Sequence, residues 1–479
     1  MRLDEHFLKN ALPEVSFLYK VFPEDMSFCI DSRKITKGDI FIALEGTSFD
    51  GHNFIAEVIE KGAAGLIIAE NKKNCLEKIS KTILEAMLVV VVTNTRTALI
   101  QCATAWRAQF SYPVVCITGS VGKTSTKEML CNILDVQGTV YTASLGNQNT
   151  AIGLSLNILA MRPEHEMAIF ELGINKRGEM AQLVAIAKPT IGLITCIGHA
   201  HMEGLGSIAD IAAEKRDIFS LFKEDNIGII NGDQSLLAHI AYAHPVIKFG
   251  AKTTNQIQAR KIHYGSGYAS FILKLYGEKF RISLKTNHNG AVFNTLAAVS
   301  IAHLLKVPSQ TIVDAIQMPI IVAGRFEQRS LKNGNGVMIN DCYNASPESM
   351  KAALLALQKI ETGAKKIAIL GDMGELGINS PFWHRQLGRF LRKVPTLQSV
   401  ILVGTLVEWT KKTVPVGLPI EHVANWQEAV KLLEKNLSND SLILVKGSHS
   451  LGLDNLVDVM ADKNIDVEKL NNRTAAAVA

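Results

Sequence analysis

Residues 114–125 confine this chain more tightly than any other stretch. An uninterrupted apolar run, Val114-Val115-Cys116-Ile117-Thr118, leads straight into Gly119-Ser120-Val121-Gly122-Lys123-Thr124-Ser125, and a helical pattern (Met129, Leu130, Ile133, Leu134) follows at once. A continuous apolar strand, a glycine turn and a helix in that order open a doubly wound α/β unit. The glycines let the backbone fold tightly, so that successive N–H groups from Gly119 to Ser125 face phosphate oxygens. The helix adds its positive end. The pattern G-x-x-G-K-[ST] has two residues between its glycines where the Walker A loop has four. In a phosphate loop, Lys123 reaches the β- and γ-phosphates of ATP and the Thr124 hydroxyl sits on Mg²⁺. The bland alternative is a turn that merely contains glycine and lysine. The full order of strand, turn, lysine, hydroxyl and helix weighs against it.

Around this loop the chain divides into blocks. Its 479 residues suggest about three domains. In residues 1–86, Asp39–Leu44 and Gly65–Ala69 read as strands, with helical spacing at Phe54-Ile55-x-x-Val58-Ile59 between them. Residues 87–318 hold the phosphate loop and further continuous apolar strands, Met167–Glu171 and Thr190–Ile197. A two-residue turn at Gly277-Glu278 joins alternating runs (Phe271, Leu273, Leu275; Phe280, Ile282, Leu284), which predicts an antiparallel hairpin appended to the sheet. Residues 319–461 repeat the strand–helix rhythm in GVMIND, KKIAILGD, SVILVG and SLILVKG, and Ser346-Pro347-Glu348 is a helix start. Residues 462–479 read as a frayed tail. The expected class is therefore α/β with three domains around a central parallel sheet.

Ligands of such sheets gather beyond the carboxyl ends of the strands. Glu171 closes one strand there, and Gly198-His199-Ala200-His201 closes another. Either residue alone is more simply a satisfied polar group at a strand end. Together beside a phosphate loop, a carboxylate and a histidine are candidate Mg²⁺ ligands. In Ile208–Phe222 the apolar stripe runs through Ile208, Ile211, Ala212, Phe219 and Phe222, and position 215 on it is lysine. Pattern alone favours a snorkelling side chain at Lys215.

The composition excludes several classes. With 47% hydrophobic and 20% charged residues the chain has ample material for large cores, and a net charge of +5 over this length calls for no nucleic-acid partner. The seven cysteines are scattered, with no C-x-x-C pair, which suits a reducing cytoplasm rather than a disulfide framework or a zinc site. The amino terminus has no apolar leader, and the longest apolar run, Met87–Val92, is far too short to span a bilayer. No membrane insertion is expected.

The remaining motifs resemble the Mur ligases, ATP-dependent amide-forming enzymes of peptidoglycan precursor synthesis. The similarity covers nearly the whole chain: Asp31-Ser32-Arg33 with GDIFIALEGTSFDGHNF, GSVGKTS, GNQNTAIG (146–153), ELGINKRGEM (171–180), GHAHMEGLGS (198–207), Gly324-Arg325-Phe326-Glu327, DCYNASPESM (341–350) and LGDMGELG (370–377). AHMEGLGS and GDMGELG are typical of the branch that joins a dipeptide, D-alanyl-D-alanine, to a UDP-N-acetylmuramoyl-tripeptide. The D-N-P-R motif of the branch adding the third-position diamino acid is absent.

The resemblance implies an amino-terminal UDP-binding α/β domain, a central ATP-binding domain, and a carboxyl-terminal Rossmann-like domain that closes on the nucleotide and binds the dipeptide. Lys123 and the loop amides bind ATP phosphates. Thr124 and Glu171 hold one Mg²⁺, and His201 helps hold a second with Lys215, which in this family can be carbamoylated. Asn294 sits near adenine; Arg325 and Asp341 reach the nucleotide from the third domain. Asp31, Ser32 and Arg33 hold the uridine end, and Asn149, Tyr343 and Asn344 face substrate. A cytoplasmic monomer with small-molecule partners is expected. The competing readings are a sister Mur ligase, a folylpolyglutamate-synthetase-like ligase, a phosphate-loop kinase or switch, and a nucleotide-binding protein without catalysis.

Overall fold

A computed structural model of the chain describes residues 4–462, apart from 24–26, 47–48, 147, 266, 287, 333–335 and 437–439. The expected tail beyond 462 lies outside the described residues. Three sheets of five, nine and six strands form the cores.

The first sheet runs in the order Ser16–Lys20, Leu88–Val92, Gly65–Ala69, Ile40–Ile42, Phe28–Cys29. Leu88–Val92 is buried throughout and pairs parallel with Gly65–Ala69 and antiparallel with Ser16–Lys20. A boundary at 86/87 would have given this strand to the central domain. The sheet claims it because a strand with only aliphatic side chains needs a paired neighbour on each edge and cover on both faces. The first sheet therefore ends at Val92. The helix Thr95–Arg107 that follows packs on central-domain helices Ala151–Leu159 and Glu179–Ala187.

The second sheet has the order Glu278–Leu284, Tyr268–Leu275, Ile257–Gly265, Val246–Gly250, Ile227–Asn231, Ile191–Ile194, Val114–Thr118, Met167–Glu171, Tyr141–Ala143. Its strands are parallel from Tyr141–Ala143 to Ile257–Gly265, and the expected hairpin closes one edge antiparallel, with Phe271 opposite Ile282 and Leu273 opposite Phe280. The run expected as one strand over Thr190–Ile197 leaves the sheet after Ile194. The Thr195 hydroxyl turns instead to the carbonyls of Thr118 (3.3 Å) and Val121 (2.6 Å), tying the departing chain to the phosphate loop.

The third sheet runs Glu327–Ser330, Val337–Asn340, Ser441–Lys446, Lys365–Gly371, Ser399–Val403, Ile420–Val423, with only the first pair antiparallel. Its helix Pro347–Lys359 starts with the expected cap: the Ser346 hydroxyl accepts from Ser349 N, and proline occupies the first turn.

Candidate active site

The phosphate loop sits where its sequence requires. Gly122 has φ +89°, a left-handed conformation that glycine adopts without steric cost, and it hands the chain directly to the helix Lys123–Gln137. A Cβ on Gly122 would lie 2.3 Å from Asn294 Oδ1, and one on Gly119 would lie 1.9 Å from Thr195 Oγ1. Asn294, on the helix Asn289–Leu304, is thus packed against the loop itself. Ser120 is held at both ends, its hydroxyl donating to Gly198 O (3.0 Å) and accepting from Gly198 N (2.9 Å).

Lys123 Nζ donates to Gly119 O at 2.9 Å, folding back over the loop it follows. Burial pulls its pKa down and Glu171 opposes that pull. Thr124 Oγ1 donates to Glu171 Oε2 at 3.1 Å, while Glu171 Oε1 is buried without a hydrogen-bond partner. Burial raises the Glu171 carboxyl; Lys123 and Lys127 counter it. Lys127, one turn beyond Lys123 on the same helix face, is a site residue that the sequence does not announce. Its Nζ lies 3.8 Å from Glu171 Oε1 and donates to Ser144 O at 2.8 Å.

Lys215 is 1% exposed, so it does not snorkel to solvent. Burial and the neighbouring Lys123 ammonium hold its pKa down to about 7, with Cys196 and Glu214 acting weakly the other way. The snorkelling expectation fails because helical periodicity fixes the face a residue takes and not how deep that face lies. The next residue back, Glu214, is buried too. It accepts from Gly178 N and Met180 N (3.0 Å each), capping the helix Glu179–Ala187 that follows the ELGINKRGEM turn.

The third domain reaches this cluster at several points. The Arg325 guanidinium lies 3.7 Å from the Tyr343 ring centroid, and its Nε is buried and unpaired. Burial lowers its pKa, and it is close enough to Lys123 and Glu171 to act on both. Asp341 braces Arg325 from behind: one oxygen accepts from Phe326 N (3.1 Å) and the other meets Lys446 Nζ (2.8 Å). The Asn344 carbonyl accepts from Lys446 Nζ at 2.8 Å and its side-chain oxygen from Ala345 N at 2.8 Å.

Two acids that the sequence does not single out pair with the histidines. His201 Nδ1 lies 2.5 Å from Glu375 Oε2, and His199 Nδ1 lies 2.5 Å from Glu348 Oε1. His201 holds the Glu375 carboxyl below its usual range. His201 and Glu375 both adopt left-handed backbone (φ +61° and +60°), conformations that cost about 1–2 kcal/mol for a residue with a Cβ and collect at functional sites. Glu375 lies in the LGDMGELG motif, the one signal that could have found it.

The donor set fits a magnesium ion. Glu171 Oε1 is a buried carboxylate oxygen with no hydrogen-bond partner, 3.8 Å from Lys127 Nζ, Thr124 supplies a hydroxyl, and His201 supplies an imidazole whose Nδ1 faces Glu375. Among the described residues no three His, Cys, Asp or Glu side chains form a ready cage.

The substrate-side residues divide. Asn149 is brought in: its carbonyl accepts from Gly173 N at 2.9 Å, and its side chain covers Gly173, two residues beyond Glu171. Asp31, Ser32 and Arg33 remain in the first domain, beside the strand Phe28–Cys29 that packs on the helix Ala151–Leu159. Arg33 bonds Asp31 through Nε (2.9 Å) and Nη2 (2.8 Å), which holds the Asp31 carboxyl down to about 2, yet its side chain is 83% exposed. The Ser32 carbonyl takes Lys61 Nζ at 2.9 Å.

A phosphate loop on one domain with an arginine from another beside it is the arrangement of an ATP-dependent enzyme. The chain belongs to the Mur ligase family. Residues 27–107 match the model of the Mur ligase family catalytic domain, 117–302 the Mur ligase middle domain, and 324–449 the Mur ligase glutamate ligase domain. It is 32% identical over 430 residues to UDP-N-acetylmuramoyl-tripeptide–D-alanyl-D-alanine ligase of Bacillus subtilis (strain 168), covering 89% of this chain and 91% of that protein. Its structure is similar to MurF from Acinetobacter baumannii (TM-score 0.81, 28% identity, 95% and 98% of the two chains). It is also similar to MurF ligase from Thermotoga maritima in complex with ADP (TM-score 0.75, 26% identity, 94% and 98%).

Proposed function

We propose that this protein is the ATP-dependent ligase that joins D-alanyl-D-alanine to UDP-N-acetylmuramoyl-tripeptide in peptidoglycan precursor synthesis. The observation that carries the chemistry is the meeting of Lys123, Glu171 and Arg325 from two domains at one phosphate loop. The substrate pair follows from the relatives, which match about nine-tenths of the chain and carry that name.

An amide does not form from a carboxylate and an ammonium in water without activation. A tripeptide carboxylate oxygen attacks the γ-phosphorus, the bond from that phosphorus to the β–γ bridging oxygen breaks, and ADP leaves an acyl phosphate behind. The dipeptide amine, having lost one proton, attacks the acyl carbon. The carbon–oxygen bond to phosphate breaks, and a second proton leaves nitrogen as the amide forms.

Lys123 and Arg325 place two cations where two anions must approach, and the amide groups at the start of Lys123–Gln137 add their partial charges. Magnesium, when bound with ATP, would be held by Thr124, Glu171, His201 and Lys215, and supplies further positive charge to the phosphate oxygens. As an ammonium Lys215 would oppose that ion. Its amine, held near pKa 7, is instead available to attack CO₂, lose a proton and become a carbamate anion with two hard oxygens. Closure of the third domain through Glu348 and Glu375 excludes water that would hydrolyse the acyl phosphate. Arg33, exposed on the first domain, is placed to take the diphosphate of the sugar-nucleotide. Seven free thiols suit action in the cytoplasm, and no helix among the described residues is long and apolar enough to cross a membrane.

The test is phosphate release in the presence of UDP-N-acetylmuramoyl-tripeptide and each of several amines. Release that depends on D-alanyl-D-alanine is expected. Release driven by a single amino acid, by glutamate with a folate, or by no amine at all would replace this reading with a sister ligase, a folate ligase or a phosphohydrolase.

A further inference from the structure

One helix of the third domain, Pro347–Lys359, touches the central domain at both ends. At its start, both Glu348 oxygens accept from the His199 backbone N–H (3.2 Å each), Oε1 meets the His199 ring, and that ring lies 4.3 Å from Trp383. At its last residue, Lys359 Nζ donates to Asn289 Oδ1 and sits 3.5 Å from the centroid of the Tyr264 ring. Eleven residues of α-helix separate the anchors, roughly 17 Å. Tyr264 belongs to Ile257–Gly265, the strand on which the appended hairpin pairs, and Asn289 opens the helix that carries Asn294 to the phosphate loop.

The far anchor has unusual company for a lysine. No carboxylate pairs with Lys359 among the described residues; its partners are a neutral amide oxygen and an aromatic face, and burial lowers its pKa. An ammonium gains most from water. One drawn under a ring and onto an amide is held by geometry, which makes the contact directional. Without Lys359 this helix would meet the central domain at its first turn only, and its far end would be free to tilt within the play the contacts of Glu375 and Arg325 allow. Fixed at both ends, it cannot tilt.

We propose that Lys359 is a positioning residue: with Glu348 it pins the helix Pro347–Lys359 at two points and so sets the angle at which the third domain presents Arg325 and Glu375 to the phosphate loop. Its effect on turnover rests on the ligase reading; its effect on geometry does not.

Three variants test it: Lys359→Met, which keeps the aliphatic stem, Lys359→Arg, which keeps a cation, and Tyr264→Leu, which leaves the lysine and removes its ring. The geometric readout is amide hydrogen exchange at His199 and Glu203, whose N–H groups are held across the domain interface by Glu348 and by Glu375 O. Loss of one such directional contact should speed exchange at these distant amides about fivefold to tenfold in Lys359→Met and Tyr264→Leu, and little in Lys359→Arg. The kinetic readout is a matching fall in kcat with the KM for ATP nearly unchanged, because nucleotide contacts within the central domain remain. Unchanged melting temperature, with protected amides in Val114–Thr118, identifies a folded variant. Exchange that quickens only around residues 264, 289 and 359, with His199 and Glu203 still protected, overturns the proposal. A wild-type protein with no D-alanyl-D-alanine-dependent turnover would remove the ligase reading while leaving the exchange result standing on its own.

Discussion

Lys123 stands at the amino end of its helix between opposing influences, burial lowering its pKa and Glu171 raising it. On the proposed mechanism its charge reaches the transferring phosphoryl, and losing one such contact typically costs about 10²–10³ in rate. Lys123→Ala should therefore remain folded and lose at least that much kcat/KM. Retention of more than about a tenth of wild-type activity would take Lys123 out of the mechanism. Lys215 poses a different question, since its depth is settled and its chemical form is what matters. As a carbamate it contributes an anion, so Lys215→Ala should lose activity and recover part of it when acetate or formate occupies the vacated position. Undiminished activity in the variant, or inactivity that no short carboxylate relieves, would return Lys215 to a packing role. Lys123, Thr124 and Glu171 are legible in the sequence because strand, turn and helix follow one another along the chain. The pairing of Glu348 and Glu375 with histidines is not, because although both lie in local motifs nothing in those motifs marks a partner 149 or 174 residues away.

Among the elements, the segment Asp372–Ser380 is the one whose shape the site depends on, since it carries Glu375. It is pinned from beneath by His384, fully buried on the helix Ser380–Phe390. Met373 N donates to His384 Nε2 (3.1 Å), so the proton sits on Nδ1, which donates to Ser380 O at 2.8 Å. Burial holds the His384 pKa below its ordinary 6.5, so as pH falls the unfolded chain takes up this proton before the folded one does. The stability that neutral His384 contributes is thus intact above about pH 6.5 and is lost below it, by at most about 1.4 kcal/mol per pH unit. Denaturant unfolding at pH 7.5 and 5.5 should show a smaller acid loss in His384→Gln than in the wild type; equal losses would remove His384 from the pH response. Buried strands with apolar runs, such as Lys365–Gly371 and Ser441–Lys446, are evident in the sequence. Ser16–Lys20 and Tyr141–Ala143 are not, being edge strands that no residue in them buries fully. Their strand character comes from the neighbour they pair with, not from their own apolar pattern.

At the scale of the whole molecule, the proposed reading gives the three sheets separate tasks, with the sugar-nucleotide on the first. If Arg33 grips the sugar-nucleotide, Arg33→Ala should raise the KM for the UDP-linked peptide and leave that for ATP unchanged, the pattern of lost uniform binding. A rise in the ATP value instead would move the uridine end off this domain. The division into three blocks is visible in the sequence, but the first boundary is not, because the run Leu88–Val92 reads alike whichever sheet receives it. The third domain has a further geometric property. Its chain enters at the edge strand Glu327–Ser330, just past Phe326, whose φ is +54°, and returns to that edge, where Ala461 bridges Leu331 and Asp462 N donates to Ser330 O. A body joined to the preceding domain at one margin would turn about that margin like a door on its stile. Strands lie about 4.8 Å apart, so Lys365–Gly371, three strands inward, is a lever arm of about 14 Å. A turn of about 20° would carry the Glu375 end of that arm through roughly 5 Å, while Arg325, at the stile, hardly travels. If Arg325 holds the nucleotide as proposed, the contributions of this domain would separate in time: the arginine would stay near the loop through such a turn, and Glu375 would reach His201 only at its end.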